Sequence, residues 1–555
     1  MKNTILLVLL ALLLVALPGA AGEGGVRARH GMVVSVSPPG TDVGVAILKK
    51  GGNAVDAAIA TAFALAVTYP AAGNIGGGGF MLVHPAGKGG PVCIEYRETA
   101  PAAATKSMFA RGASELGHRA VGVPGTVRGM ALAHRRFARL PWKDLIMPAV
   151  HLAEKGFRLN ARLADSLNNL LAAAEDFPEL QRVFGKAGGG DWREGDRLVQ
   201  SDLARTLRLI AEQGPDAFYA GPIARQIAAE MKSGGGLITA ADLAAYRAHA
   251  RRPIHGTYRG HDVYAPPPPS SGGTCLVEML NILECFDLKK LGRGSPETMH
   301  VMIEAMRRAY CDRARYLGDP AFTKIPDHLT DKAYGRKLAA AIDRKKATPS
   351  ESLAGDIALA PEGDSTTHFS VIDKDGMAVA NTYTLERSYG SRVVVKGAGF
   401  LLNNEMIDFN WRPGHTDRKG AIGTPPNLIA PGKRMLSSQT PTIVARDGKV
   451  VLITGSPGSR TIINTVLNVL VNVLNFDMDI ASAVAAPRLH HQWFPDEARF
   501  EGIDAHPEAM TALRKLGHRL VRTRQGDAHS IMVDPRTGER IGAADRRIHG
   551  KAAGY

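Results

Sequence analysis

With 555 residues, 45% hydrophobic and 22% charged, the chain can bury a large core and is too apolar to be disordered. Its net charge of +15 is spread without a basic stripe interleaved with aromatics, which argues against nucleic-acid binding and for a solvated basic surface. Four cysteines are too few for a disulfide scaffold.

The first predicted element is a targeting segment. Lys2 precedes an apolar run from Ile5 to Leu17, Pro18 breaks it, and Gly19-Ala20-Ala21 offers small residues for cleavage. The run is shorter than the roughly 20 residues a bilayer span needs. Residues 1–21 therefore read as a secretory signal, which puts the mature chain in a periplasm or outside the cell. RHGMVVSVSPPG predicts a short alternating strand stopped by Pro38-Pro39-Gly40. Thr41 to Lys50 predicts a helix. Asn53 then caps a second helix, AVDAAIATAFALAVTY, apolar on nearly every face and hence buried. GNIGGGGF, residues 73–80, has neither dinucleotide nor P-loop spacing and marks a backbone that passes close to something.

Residues 125–350 carry amphipathic helical patterns. Within them APPPPSSGG, residues 265–273, has the composition of an interdomain linker. Cys275 and Cys285 sit on one predicted helix, on the order of 15 Å apart and too far to bridge, and the cysteines read as buried small hydrophobes. From about residue 366 the texture changes. TTHFSVID, the turn Asp373-Lys374-Asp375-Gly376 and MAVANTYTL predict a hairpin. SRVVVKG, PTIVARDGK and KVVLITG follow as strands, then the apolar segments TIINTVLNVLVNVL and DIASAVAA. A helix-rich first part and a strand-rich last part predict stacked layers of an α+β fold. His368 and the pair His490-His491 lack metal-ligand spacing, and the turn at 373–376 lacks the later ligands of a calcium loop, so no metal or cofactor is implied.

TTHFSVID also carries a chemical signal. A threonine hydroxyl is a poor nucleophile without a base. If Thr366 were the first residue of a chain, its own α-amine, with a reference pKa of about 7.7–8.0, could take the proton. The turn-prone Gly363-Asp364-Ser365 before a strand is a suitable place to cut.

TTHFSVIDKDGMAVANTYTLE resembles the start of the small subunit of the gamma-glutamyltranspeptidases. RHGMVVS, GGNAVDAAIA, GNIGGGGFML, YRETAP, PPPPSSGG, YLGDP, LLNNEMIDF, LSSQTPTIV, GSPGSRTI and HHQWFPDE extend the resemblance, in order, along the whole mature chain. It implies an N-terminal-nucleophile hydrolase with a four-layer αββα sandwich, in which residues 266–273 are an ordered internal segment; we prefer that reading to a linker. It further implies a precursor that cuts itself once, before Thr366, with Ser365, Thr366 and Thr367 as the processing residues. A large subunit, 22–365, and a small catalytic subunit, 366–555, would stay together as a heterodimer.

By the same resemblance, Thr366 is the nucleophile and Thr384 hydrogen-bonds its hydroxyl. Gly458 and Ser459 offer backbone N–H groups to the oxyanion. Arg97, Ser437 and Ser438 bind the α-carboxylate of a γ-glutamyl donor, and Asp408, Glu405 and Glu386 its ammonium. Three departures stand out. Ser459 replaces a glycine, Glu386 and Glu405 stand where relatives carry amides, and the lid-length segment 409–427 does not show the aromatic that some members use to wall off the nucleophile, though Trp411 is nearby. The implied activity moves the γ-glutamyl group of glutathione and related small molecules to amino acids, peptides or water, with no stable membrane span after signal removal. Two alternatives remain: a glutaryl-type (cephalosporin) acylase of the same architecture, and an exported binding protein that never matures.

Overall fold

The computed structural model describes residues 25–555 apart from 88, 110–113, 356 and 358–365. The targeting segment and Ser365 lie outside the described residues. Before Thr366 the strands of the two large sheets are β1 (Val26–Ala28), β2 (Met32–Ser35), β3 (Gly78–His84), β4 (Val92–Glu95), β5 (His249–Arg251), β6 (Ile254–Tyr258) and β7 (His261–Ala265). After it come β8 (Thr367–Ile372), β9 (Ala378–Thr384), β10 (Thr442–Arg446), β11 (Lys449–Thr454), β12 (Ser530–Val533), β13 (Arg540–Ala543) and β14 (Lys551–Gly554). One sheet runs β14-β2-β8-β9-β3-β4-β5 and the other β1-β13-β12-β11-β10-β7-β6. The two halves of the chain are thus interleaved in both sheets and do not form separate helical and strand parts.

Side-chain alternation builds the layers. In the first sheet Val34, Ile372 and Ala380 face the second sheet, while Val33, Val371 and Val379 face helices. In the second sheet Ile443 and Ile453 face the first, and Val444 and Leu452 face the opposite helices. Helices α1 (Pro38–Lys49), α2 (Ala54–Thr68), α3 (Trp142–Lys155) and α4 (Ser201–Gln213) share the core outside the first sheet. Helices α5 (Gly272–Leu283), α6 (Pro296–Tyr316) and α7 (Thr461–Phe476) share the core outside the second. The result is the expected αββα sandwich.

Local signals mostly hold. Asn53 accepts from the N–H groups of Val55 and Asp56, Asp56 accepts from the N–H of Asn53, and every residue of α2 is buried. Pro38-Pro39 open α1 instead of stopping the strand, because the first helical turn has N–H groups to spare. SRVVVKG is not a strand. Val394 makes only an isolated bridge to Leu401, and positive φ at Arg392, Gly397 and Gly399 breaks the extended backbone. Residues 265–273 are buried throughout and lead into α5, so they are not a linker. All four cysteines are free, and Cys285 is exposed, against expectation, because α5 ends before it at Leu283. No described helix is long and apolar enough to cross a membrane.

Candidate active site

The hairpin β8–β9 pairs from Ile372 with Ala378 to Thr367 with Tyr383, in the middle of the first sheet. Its turn is pinned at the far end. The Asp373 carboxylate accepts from the N–H groups of Asp375 and Met377, and also from Ala54 at the start of α2. This fixes the opposite end, where Thr366 precedes β8 and is 7% exposed. Across from it, Thr384 ends β9, and its hydroxyl accepts from the N–H of Glu386 at 2.8 Å. Glu386 has φ +75°, a left-handed conformation costing roughly 1–2 kcal/mol for a residue with a Cβ, and its side chain enters the same pocket as Thr366. The glycine run explains the close approach. A Cβ on Gly77 would sit 2.0 Å from the Thr384 carbonyl oxygen, and one on Gly76 would sit 2.1 Å from that of Leu401.

Thr366, Arg97, Glu386, Asp408, Ser437, Ser438 and Ser459 line one small pocket. Arg97 is fully buried, and acids and backbone carbonyls surround its guanidinium. Nη1 meets Glu405 at 2.5 Å and Glu98 at 3.5 Å, Nη2 meets Asp408 and the Leu436 carbonyl, and Nε meets the Met435 carbonyl. It is no surface ion pair, and its fork is filled by the two acids expected to bind ammonium. Burial disfavours the Arg97 charge, but Glu405, Asp408 and Glu98 outweigh that and hold its pKa up. Burial pushes the Glu405 carboxyl up despite Arg97, and raises Glu98 to about 7 against the same pull. Glu386, Glu405 and Asp408 place carboxylate oxygens within 4.8 Å of one another. Three acids around one guanidinium make a patch suited to an added cation. Glu405 stands behind Arg97, outside the pocket lining, which differs from a direct substrate contact.

The proline-rich segment supports the serines of the pocket from behind the lining. Ser271 donates both its N–H and its hydroxyl to the Ser437 carbonyl, at 2.7 and 2.6 Å, and Ser437 N–H donates to Pro269. Ser270 hydroxyl donates to the Gln439 carbonyl at 2.6 Å. These bonds hold Ser437 and Ser438 at the pocket. Beside them Gly458, φ +124°, and Ser459, φ +48°, turn the chain into α7, and the Gly458 carbonyl accepts from Thr461. The positive end of the α7 dipole therefore points at this corner. Ser459 lines the pocket and Gly458 does not.

Other expected residues lie aside. Thr367 and Thr384 are buried strand residues next to the pocket. His368 bonds Thr382 and Ser370, while His490 and His491 bond Asn464, Gln492 and Asp496. Trp411 packs on Phe109, with ring centroids 4.7 Å apart, and donates to the Met406 carbonyl, away from the pocket lining. Sequence reasoning missed Glu98, Arg313, Gln439 and Arg460. The first adjoins YRETAP's arginine, yet nothing distinguishes a buried arginine or amide from an exposed one in a linear pattern.

The family described as Gamma-glutamyltranspeptidase matches residues 40–555. The chain is 48% identical to "Glutathione hydrolase proenzyme" of Escherichia coli (strain K12), over 96% of this chain and 93% of that protein. A solved cephalosporin acylase from Bacillus halodurans superposes with TM-score 0.84 at 28% identity, covering 98% of each chain. The gamma-glutamyltranspeptidase of Helicobacter pylori is 40% identical, with TM-score 0.57, over 62% of this chain and 100% of that one. A threonine at a strand start, facing clustered acids and a two-serine wall, agrees with these matches, and the chain belongs to the gamma-glutamyltranspeptidase family of enzymes.

Proposed function

We propose that this enzyme, a gamma-glutamyltransferase and glutathione hydrolase by family, matures by cutting its own chain before Thr366 and then uses that threonine as its nucleophile. The observation that carries the reading is the convergence of Thr366, Glu386, Asp408, Ser437, Ser438 and Ser459 on one pocket. In maturation the Thr366 hydroxyl attacks the carbonyl carbon of Ser365. The peptide becomes an ester, and water hydrolyses it, leaving the 22–365 and 366–555 chains and a free α-amine on Thr366. In turnover the same oxygen attacks the γ-carbonyl of the donor and its proton passes to the α-amine. N–H groups of Gly458 and Ser459, with the α7 dipole behind them, stabilise the oxyanion. The C–N bond breaks, the leaving amine takes the proton, and a γ-glutamyl ester remains on Thr366. Water or an acceptor amine then attacks the ester and the threonine hydroxyl is restored. Arg97, Ser437 and Ser438 receive the donor α-carboxylate, and Asp408 and Glu386 its ammonium, with Glu405 acting through Arg97. A cleaved secretory signal at 1–21 would place this chemistry in the periplasm or outside the cell.

The likeness to a cephalosporin acylase favours one second reading, hydrolysis of glutaryl amides, which lack the ammonium. Purified wild type and Thr366→Ala test both. Intact mass under denaturing conditions should show two chains for wild type, one starting at Thr366, and one chain for the variant. An uncut wild type would remove the base from the mechanism. Faster turnover of glutaryl-p-nitroanilide than of γ-glutamyl-p-nitroanilide would move the acylase to the front.

A further inference from the structure

Arg313 is 8% exposed, sits near the end of α6 and lines the pocket that holds Thr366. Its Nε donates to the Ser271 hydroxyl at 3.0 Å and its Nη2 to the Ser438 hydroxyl at 3.1 Å. Both acceptors are neutral, and among the described residues no carboxylate pairs with it. This is unlike Arg97, which is ion-paired with Glu405 and Asp408 and donates to two carbonyls. A buried guanidinium without a counter-ion is costly, and a ligand anion relieves that cost. The same wall has a second unfilled donor: the buried amide of Gln439, in the pocket lining, has no hydrogen-bond partner on either polar atom among the described residues. The Ser438 hydroxyl oxygen accepts from Arg313, so its own proton is turned elsewhere, towards an acceptor. The pocket lining thus carries Arg313 as well as the acids Glu386 and Asp408.

We propose that Arg313 is a specificity-determining residue that receives the α-carboxylate of the donor, directly and through the Ser438 hydroxyl that it orients. This rests on the γ-glutamyl reading above. Arg97 reaches a carboxylate only by giving up a present acceptor, whereas Arg313 has no acid to give up. A fork-shaped cation suits a planar carboxylate, and a lysine keeps the charge but not the planar two-donor fork.

The test compares two donors with the same leaving group. γ-Glutamyl-p-nitroanilide has both the α-carboxylate and the ammonium, and 4-aminobutyryl-p-nitroanilide has only the ammonium. Arg313→Gln should raise KM for the first by about tenfold to a hundredfold, the loss of a charge-assisted bond, with kcat within about threefold. For the second donor KM should change by less than about twofold. Arg313→Lys should show a smaller loss with the same selectivity, and serves if the glutamine variant fails to fold. Equal losses on both donors would overturn the inference, leaving Arg313 a strap between α6 and the serine wall. So would failure of both variants to mature into two chains. A wild type inactive on γ-glutamyl-p-nitroanilide would instead sink the functional reading itself.

Discussion

Glu98 is fully buried, one residue from Arg97, and burial lifts its carboxyl to about 7. Below that pH it is neutral, and as it loses its proton its negative charge is added beside Arg97. The direction for a ligand ammonium follows. Its binding should strengthen as pH rises through about 7, because the carboxyl then gives up its proton. The inhibition constant of L-glutamate against donor hydrolysis reports this when wild type and Glu98→Gln are compared, since the Thr366 α-amine titrates in both. Between about pH 6 and 8 it should fall several-fold further in wild type than in Glu98→Gln. A variant that follows the wild-type curve would assign the titration to another group. Position 98 lay within a quoted motif, yet its role was not legible, since a carboxyl's pKa depends on what surrounds it and not on its neighbours in sequence.

The glycine run shows a local signal that was legible as a constraint before its partner was known. Gly77→Ala would put a Cβ 2.0 Å from the Thr384 carbonyl oxygen, so the end of β9 must move. We expect a destabilisation of about 1–3 kcal/mol and a loss of activity beyond the lost folded fraction, because Thr384 and Glu386 shift together. Gly90, exposed and with nothing within 4 Å of an added Cβ, is the control, and its alanine variant should stay within about 0.5 kcal/mol. Urea unfolding with activity on the same samples decides it, and an active, stable Gly77→Ala would disprove the close-approach account. The proline-rich segment teaches the reverse. Composition made it a linker, but Ser270 and Ser271 bond the backbone of 437–439 and turn it into the support of a binding wall. In SRVVVKG, β-branched residues suggested a strand, and the backbone turns at Arg392, Gly397 and Gly399 overruled them.

Across the molecule, a cut before Thr366 severs no strand but leaves each sheet made from both chains. The pair β8–β9 lies between β2 and β3, β14 lies beside β2, β1 pairs with β13, and β7 pairs with β10. Separation would expose the core between the sheets and unpair whole strand edges. The matured protein should therefore elute from size exclusion as one species in native buffer, and resolve into two chains only in denaturant. Two native peaks would contradict the interleaving.

The sequence by itself was enough for the capped, wholly buried α2, the β8–β9 hairpin and the threonine at its head. A cap, a turn and a two-residue alternation each act over a few neighbouring residues. The family motifs added which acids, serines and glycines to watch. Folding decided the rest: that Glu405 and Asp408 close on Arg97, that Trp411 packs on Phe109, and that Arg313 and Gln439 reach the serine wall. Those outcomes depend on burial and on charges brought together from distant segments, and such forces leave no periodic trace along the chain.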